Sequence, residues 1–231
     1  LKIDSKFIEK HNIPVPRYTS YPPALYFHNN FETSKPLHLI QESNDTETAL
    51  ISFYIHIPFC KKICHFCGCN AYKPTKKSIV EDYLIALKKE ISTITRHIDK
   101  SRKVAQIHYG GGTPNAIAAH YLKEINELFF NAFDFTDSRE IAIECNPAQL
   151  DEPYIDELID AGFNRISIGV QDFDPEILKT INRDPSYLPL EKLIDYFRTK
   201  KSDISINLDF IYGLPGQTVE SFVIVSNKPL P

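Results

Sequence analysis

The chain contains no methionine and no tryptophan and opens on Leu1, so it reads as a fragment or trimmed chain rather than a whole translation product. It has no apolar run near the roughly 18 residues that a membrane span requires. Its first ten residues, Leu1 to Lys10, are too charged for a signal peptide. Both absences point to a cytoplasmic protein that does not meet a membrane. An excess of positive charge is also missing: the formal net charge is −4, which excludes the basic footprint of a nucleic-acid binder and favours a small-molecule substrate. Nor are the cysteines spread as a disulfide framework would need. Four of the five, Cys60, Cys64, Cys67 and Cys69, fall within ten residues, and thiols crowded into one loop of a cytosolic chain suit metal binding or redox chemistry better than stapling. What is present is a globular balance of 42% hydrophobic and 24% charged residues in 231. That length allows one large or two small domains and a core that holds without disulfides.

Three segments follow from texture. Residues 1–50 carry Pro14, Pro16, Pro22, Pro23 and Pro36 with little periodicity and read as an arm. Residues 51–217 alternate short strands with helices, and 218–231 form a tail. Phe53–Ile57, Val104–Tyr109, Glu140–Glu144, Arg165–Gly169 and Ile204–Tyr212 are rich in Ile, Val, Phe or Tyr and predict strands. Val80, Leu84, Leu87, Ile91, Ile94 and Ile98 recur at helical spacing behind a capping box, Ser78-x-x-Glu81. Leu122, Ile125, Leu128, Phe129 and Phe133 predict a second helix. Tyr154–Ala161 predicts a third, with Pro153 near its start and Gly162 past its end, and Leu190, Leu193, Ile194 and Phe197 a fourth. Such alternation implies α/β architecture with parallel strands and right-handed crossovers, as a doubly wound sheet or a (β/α) barrel. Distinctive residues follow several strand ends in turn: the cysteines, Gly110-Gly111-Gly112-Thr113-Pro114, Glu144, Gln171 and Gly213-Leu214-Pro215. That distribution is the barrel habit. Only five strands can be found, so the expectation is a partial (β/α) barrel, incomplete at the C-terminus.

Cys60-x3-Cys64-x2-Cys67 places three thiols on one loop, enough for three corners of a 4Fe-4S cluster with one iron left open. The alternative is a closed structural zinc site with Cys69 as fourth ligand, although zinc sites usually draw ligand pairs from separate elements. The glycine run could bring a ligand to the backbone or simply form a tight turn. Glu144 ends an alternating strand, either aimed at a ligand or solvated at the rim. Arg183 suits an acidic ligand through charged hydrogen bonds. Asp172 and Asp174 could equally cap a helix. His56 and His108 sit within strands, and His65 within the cysteine loop; Cys145 is solitary and reads as buried.

The cysteine spacing resembles the signature of the radical S-adenosylmethionine (SAM) enzymes. Tyr54-Ile55-His56-Ile57-Pro58-Phe59-Cys60, continuing through Cys64-His65-Phe66-Cys67-Gly68-Cys69-Asn70, is similar to the oxygen-independent coproporphyrinogen III oxidases. So are Pro16-Arg17-Tyr18-Thr19-Ser20-Tyr21-Pro22, His108 to Pro114, Arg165 to Phe173, Asn182-Arg183 and Asp209 to Pro215. The resemblance implies a 4Fe-4S cluster on Cys60, Cys64 and Cys67 with SAM on the open iron. SAM would be cleaved to a 5′-deoxyadenosyl radical that takes hydrogen from substrate propionates, giving vinyl groups and protoporphyrinogen IX in haem synthesis. It implies two SAM molecules. Tyr54, Gly111 and Glu144 would contact the first, and Phe66, Gly112, Thr113, Gln171, Arg183 and Asp209 the second. Cys69 matches the family's additional, non-ligating cysteine and with Tyr54 would take a catalytic part. The implied partners are a porphyrinogen and an electron donor such as flavodoxin or ferredoxin, with a monomer when complete. The sequence departs from the pattern at Cys145-Asn146-Pro147, where the oxidases more often carry an acid. It also ends before the rest of the barrel and the helical domain that the resemblance leads one to expect. A haem chaperone of the same superfamily and a zinc-stabilised binding module without catalysis are the alternatives; Arg17 to Pro22 argues against the chaperone.

Overall fold

The computed structural model describes residues 5–13, 26, 32, 34–45 and 50–227. The Arg17–Pro22 motif lies outside the described residues. The chain divides into two compact units, Leu1–Leu39 and Ile40–Pro231. In the first, α1 (Ser5–His11) sets the Phe7 ring against His11, with centroids 4.4 Å apart. Next comes α2 (Lys35–Glu42).

The second unit is built on β1 (Leu50–Ile57), β2 (Lys103–Gly111), β3 (Phe135–Cys145), β4 (Arg165–Gln171) and β5 (Ser205–Phe210). They form one sheet in the order β1-β2-β3-β4-β5, with every neighbouring pair parallel. The connections carry α3 (Lys77–Thr95), α4 (Ala119–Phe130), α5 (Glu152–Asp160), α6 (Pro175–Thr180) and α7 (Leu190–Lys200), and α8 (Val219–Asn227) follows β5. Because parallel crossovers are right-handed, a sheet that always advances in one direction receives its helices on one face. Ile107, Tyr109, Ile141, Ile143, Ile166 and Ile168 are buried there, in one cluster with Leu84, Leu122, Ile125, Leu158, Leu193 and Phe197. The opposite face carries Tyr54, His56, His108, Glu144, Ser167, Asn207 and Asp209, related by the strand registers. A doubly wound sheet would have apolar residues on both faces. The polar second face is the interior of a (β/α) barrel wall, so the expected fold class holds.

Several local expectations are refined. Leu84, Leu87, Ile91 and Ile98 are buried as the periodicity requires, yet the Ser78–Glu81 capping box does not form. The residue before α3 is Lys76, extended and without a side-chain cap, so Ser78 is already helical; Glu81 pairs instead with Lys77 at 3.2 Å. α5 behaves as read. Asp151 accepts the Tyr154 amide at 2.9 Å, Pro153 lies in the first turn, and Gly162 takes φ +93° beyond the end. The helices α1 and α2, in the segment read as an arm, and α6 and α8 were not expected. Asp174 caps α6, accepting the Glu176 amide at 2.9 Å, while buried Asp172 accepts the Asp174 amide at 2.8 Å and a hydrogen bond from Gln217. Beneath the sheet, Tyr109 donates to Asn126 Oδ1 at 2.6 Å and Asn126 donates to the Ala161 carbonyl at 2.8 Å, all inside the core. Among the described residues no helix is long and apolar enough to cross a membrane.

Candidate functional site

The cysteine loop leaves β1 at Pro58 and is closed at its base. The Cys60 amide donates to the Tyr72 carbonyl at 3.1 Å, and the Tyr72 amide returns to Pro58 at 2.8 Å. Phe59 anchors this base, 1% exposed and edge-on to Tyr72 and Tyr83 with centroids 5.3 Å away in each case. The loop after β2 grips it from one side: the Gly112 amide donates to Ile57 at 2.9 Å and the Thr113 amide to Phe59 at 2.8 Å. Thr113 Oγ1 lies 3.3 Å from Cys60 Sγ. A turn then carries the other two thiols, with the Cys67 amide donating to the Cys64 carbonyl at 3.1 Å.

The opposite grip comes from the end of α6. Its C-terminus is a Schellman motif, in which the Asn182 amide reaches Lys179 and the Arg183 amide reaches Leu178, at 3.1 and 2.9 Å. The motif needs a left-handed residue, which Asn tolerates; Asn182 has φ +57°. This turn throws Asn182 and Arg183 back against the cysteine loop. Asn182 Nδ2 donates to Ile63 at 2.9 Å, the His65 amide to Ile181 at 3.1 Å, and Lys62 pairs with Asp184. The Arg183 guanidinium contacts Cys64 Sγ at 3.5 Å and donates to the Gly169 carbonyl, tying the cysteines to β4.

Beside the loop lies the polar face of the sheet. Tyr54 stacks on His108, with centroids 6.0 Å apart and planes 13° from parallel, and His108 Nε2 is 3.1 Å from Glu144 Oε1. His56 joins Tyr54 OH at 3.3 Å and the Asn70 carbonyl at 2.9 Å. The Asp209 carboxylate accepts from Ser167 at 3.0 Å and from Asn207 at 2.9 Å. Gln171, at the rim of β4, is held at φ +69° where the β4–β5 register shifts, a conformation that costs a non-glycine residue about 1–3 kcal/mol and is concentrated at functional sites.

Electrostatics disfavour the thiolate at two of the loop cysteines, Cys60 and Cys69. Burial pushes the Cys60 thiol up; the Thr113 hydrogen bond opposes this, nearby Cys67 and Cys64 add to it, and Arg183 lowers it. Burial and neighbouring Cys67 likewise raise Cys69. Burial, then Glu144 and Cys69, raise the Tyr54 phenol. A metal cluster held by Cys60 would supply the missing compensation there, because thiolates are the ligands such a cluster takes.

Cys60, Cys64, Cys67 and Cys69 line one cavity with Phe66, Gly111, Gly112 and Thr113, and across it stand Glu144, Gln171, Arg183 and Asp209. Every site residue expected from the sequence is in that lining except Tyr54, which stacks on His108 one layer deeper on the same sheet face. Sequence reading missed Ser167 and Asn146, which also line the cavity. Ser167 was legible as an alternate polar position in β4. The main chain of Asn146, the departure from the resemblance, accepts from Asn115 Nδ2 at 3.0 Å and donates to Asn115 Oδ1 at 2.8 Å, so the Asn115 side chain pins the β2 and β3 loops together. Cys145 is buried, and burial raises its thiol far above the usual range. All five cysteines are free.

Three soft donors on one loop fit a cluster that takes one thiolate per iron.

Comparison with known proteins gives the same reading. Residues 54–226 match the model of the radical SAM superfamily. The oxygen-independent coproporphyrinogen III oxidase of Synechocystis is 39% identical over 222 residues, covering 96% of this chain and 47% of that protein. That of Escherichia coli K12 is 38% identical over 225 residues, covering 97% and 48%. The solved E. coli coproporphyrinogen III oxidase, described as a radical SAM enzyme, superposes with TM-score 0.80 at 36% identity over 98% of this chain and 50% of that one. The chain thus spans about half the length of the relatives it matches.

Proposed function

The chain belongs to the radical SAM superfamily, and on that premise we propose that it forms the cofactor-binding part of an oxygen-independent coproporphyrinogen III oxidase. Cys60, Cys64 and Cys67 would hold a 4Fe-4S cluster. When bound, the cluster and SAM supply one-electron reduction and hydrogen-atom abstraction at the substrate propionates; the protein orients them and excludes side reactions. Tyr54, Gly111 and Glu144 serve a first SAM, with His108 fixing the Glu144 carboxylate. Phe66, Gly112, Thr113, Gln171, Arg183 and Asp209 serve a second, and Cys69 and Tyr54 act beside the reacting groups. The substrate is a porphyrinogen, the electron donor a protein such as flavodoxin or ferredoxin, the compartment the cytoplasm, and the complete protein a monomer.

One observation carries this reading: three free thiols on a doubly braced loop face the polar strand ends of a one-sided parallel sheet, with Arg183 bridging the two. The test is anaerobic reconstitution with iron and sulfide, followed by reductive SAM cleavage and coproporphyrinogen III decarboxylation. About four irons per chain and 5′-deoxyadenosine formation are expected. Tight binding of a single zinc with no iron uptake would overturn it.

A further inference from the structure

The charge around the cysteine loop is not used by the site. A chain of net charge −4 places five lysines and no acid in the twenty residues from Pro58 to Lys77. Two are neutralised, Lys62 by Asp184 and Lys77 by Glu81. Lys61, Lys73 and Lys76 are exposed, and among the described residues no ion pair involves them.

Lys61 and Lys73 sit at a second approach to the cysteines, and Lys76 follows three residues on, at the start of α3. Cys60 lines the inner cavity with Glu144 and Arg183, but it also lines an outer one with Phe59, Lys61, Lys73 and Val80. Lys61 and Ala116 continue that outer cavity into a further one bordered by Gln149 and exposed Tyr187. Gln149 Oε1 is buried there without a hydrogen-bond partner. Asp151, the acid in this lining, already accepts the Tyr154 amide. Cys60, itself buried, therefore borders a lysine-lined outer cavity as well as the cavity that SAM and substrate would fill, and electron transfer does not require the thiol to be exposed. A basic rim beside exposed aromatic surface is the composition of a transient, electrostatically steered interface.

We propose that the Lys61–Lys73–Lys76 surface docks a small acidic one-electron carrier protein and admits its electron through the Cys60 side of the loop. The inference rests on the cluster assignment above. In the step, the reduced carrier loses one electron and the cluster gains it; no bond forms and no proton moves.

The test compares wild type with the K61E/K73E/K76E protein, and with the milder K61Q/K73Q/K76Q, using flavodoxin as probe. Affinity of the unloaded chain for oxidised flavodoxin is measured against salt concentration. Cluster reduction by flavodoxin hydroquinone and by the viologen radical cation is followed anaerobically in the loaded chain. The charge-reversed protein should bind flavodoxin at least about tenfold more weakly at low salt, with the difference closing as added salt shortens the Debye length toward ~3 Å. Its reduction by flavodoxin should slow in parallel while reduction by the cationic viologen does not. Unchanged flavodoxin affinity would overturn the proposal. So would equal slowing with both reductants, which places the lysines in the cluster's own environment, or equal affinity for an oligonucleotide or anionic vesicles, which marks an unselective basic surface. Failure to take up iron would sink the cluster assignment instead, and flavodoxin binding by the unloaded chain would still decide the docking surface.

Discussion

Gly112→Ala isolates the packing that positions Cys60. A Cβ added at Gly112 would stand 2.9 Å from the Phe59 carbonyl oxygen, 3.0 Å from the Pro58 carbonyl carbon and 3.0 Å from Cys60 Sγ. Two of these are backbone atoms in the closed base of the loop, so they cannot rotate away. The Gly112 backbone itself is not left-handed, which makes the penalty steric alone. Restoring ordinary contact, at 3.4 Å or more, moves Sγ or the loop base by at least about 0.4 Å. Metal–ligand distances are expected within about ±0.2 Å of their standard values. Forcing one methyl into such packing costs about 1–3 kcal/mol, so the protein should stay folded but load iron poorly. Gly213→Ala is the control. Gly213 has φ +77° and open space around its Cβ, so it should lose about 1–2 kcal/mol from backbone strain and load iron normally. Urea unfolding gives the stabilities, and iron and sulfide per folded chain give the loading. Wild-type loading by the Gly112→Ala protein would refute the view that the Gly112–Phe59 seam sets the first ligand.

Cys60→Ala, Cys64→Ala and Cys67→Ala should each abolish iron loading, whereas Cys69→Ala should keep it; the reverse pattern for Cys64 and Cys69 would reassign the ligands. Asn126→Ala strands both the Tyr109 hydroxyl and the Ala161 carbonyl, at about 1–3 kcal/mol for each orphan. Urea unfolding should therefore show roughly 3–5 kcal/mol lost, and a loss below 1 would remove this network from the account of how β2 is held. In the unloaded chain, a thiol reagent should modify Cys69, Cys64 and Cys67 before unfolding and Cys145 only after it, because Cys145 is buried and its thiolate disfavoured. Mass spectrometry of the labelled peptides decides the order.

What could be read from the sequence was what repeats locally. Glu140-Ile141-Ala142-Ile143-Glu144 alternates because one face of β3 packs on helices and the other does not, and that pattern gave both the strand and the direction of Glu144. Pro153 and Gly162 marked α5 because each meets a demand of a helix end, while the cap itself, Asp151, was found only in the structure. The Ser78–Glu81 spacing misled, since spacing alone does not say which residue is first to turn helical. With six residues, α6 is too short for a periodic signal; its traces were Asp174-Pro175 before it and Asn182 after it. The contact that matters most for the site, Arg183 to Cys64, joins residues 119 apart, and no local pattern announces it. The glycine run was readable as a turn or a ligand cradle. In the structure both conformation and crowding call for glycine at Gly111, which has φ +114° and where a Cβ would meet His56 and the Ile57 carbonyl at 2.8–2.9 Å.

The strand order explains why stability and chemistry can coexist in one sheet. Since all crossovers advance the same way, the isoleucines of β2, β3 and β4 go to the helix side, where each buried side chain contributes about 1.5–3 kcal/mol. The other face is relieved of packing duty, so Glu144, Asn207 and Asp209 can stay polar and exposed, and Ser167 polar and half-buried, without the cost of burying unpaired groups. They are held instead by hydrogen bonds to one another and to His108. The cysteine loop then needs fixing only at the rim, and it is fixed from both sides: by the amides after β2 and by the Schellman turn after α6. Arg183 closes that frame because its guanidinium can hold the Gly169 carbonyl and a thiol sulfur at once, which a lysine, with a single compact ammonium, could not match in geometry.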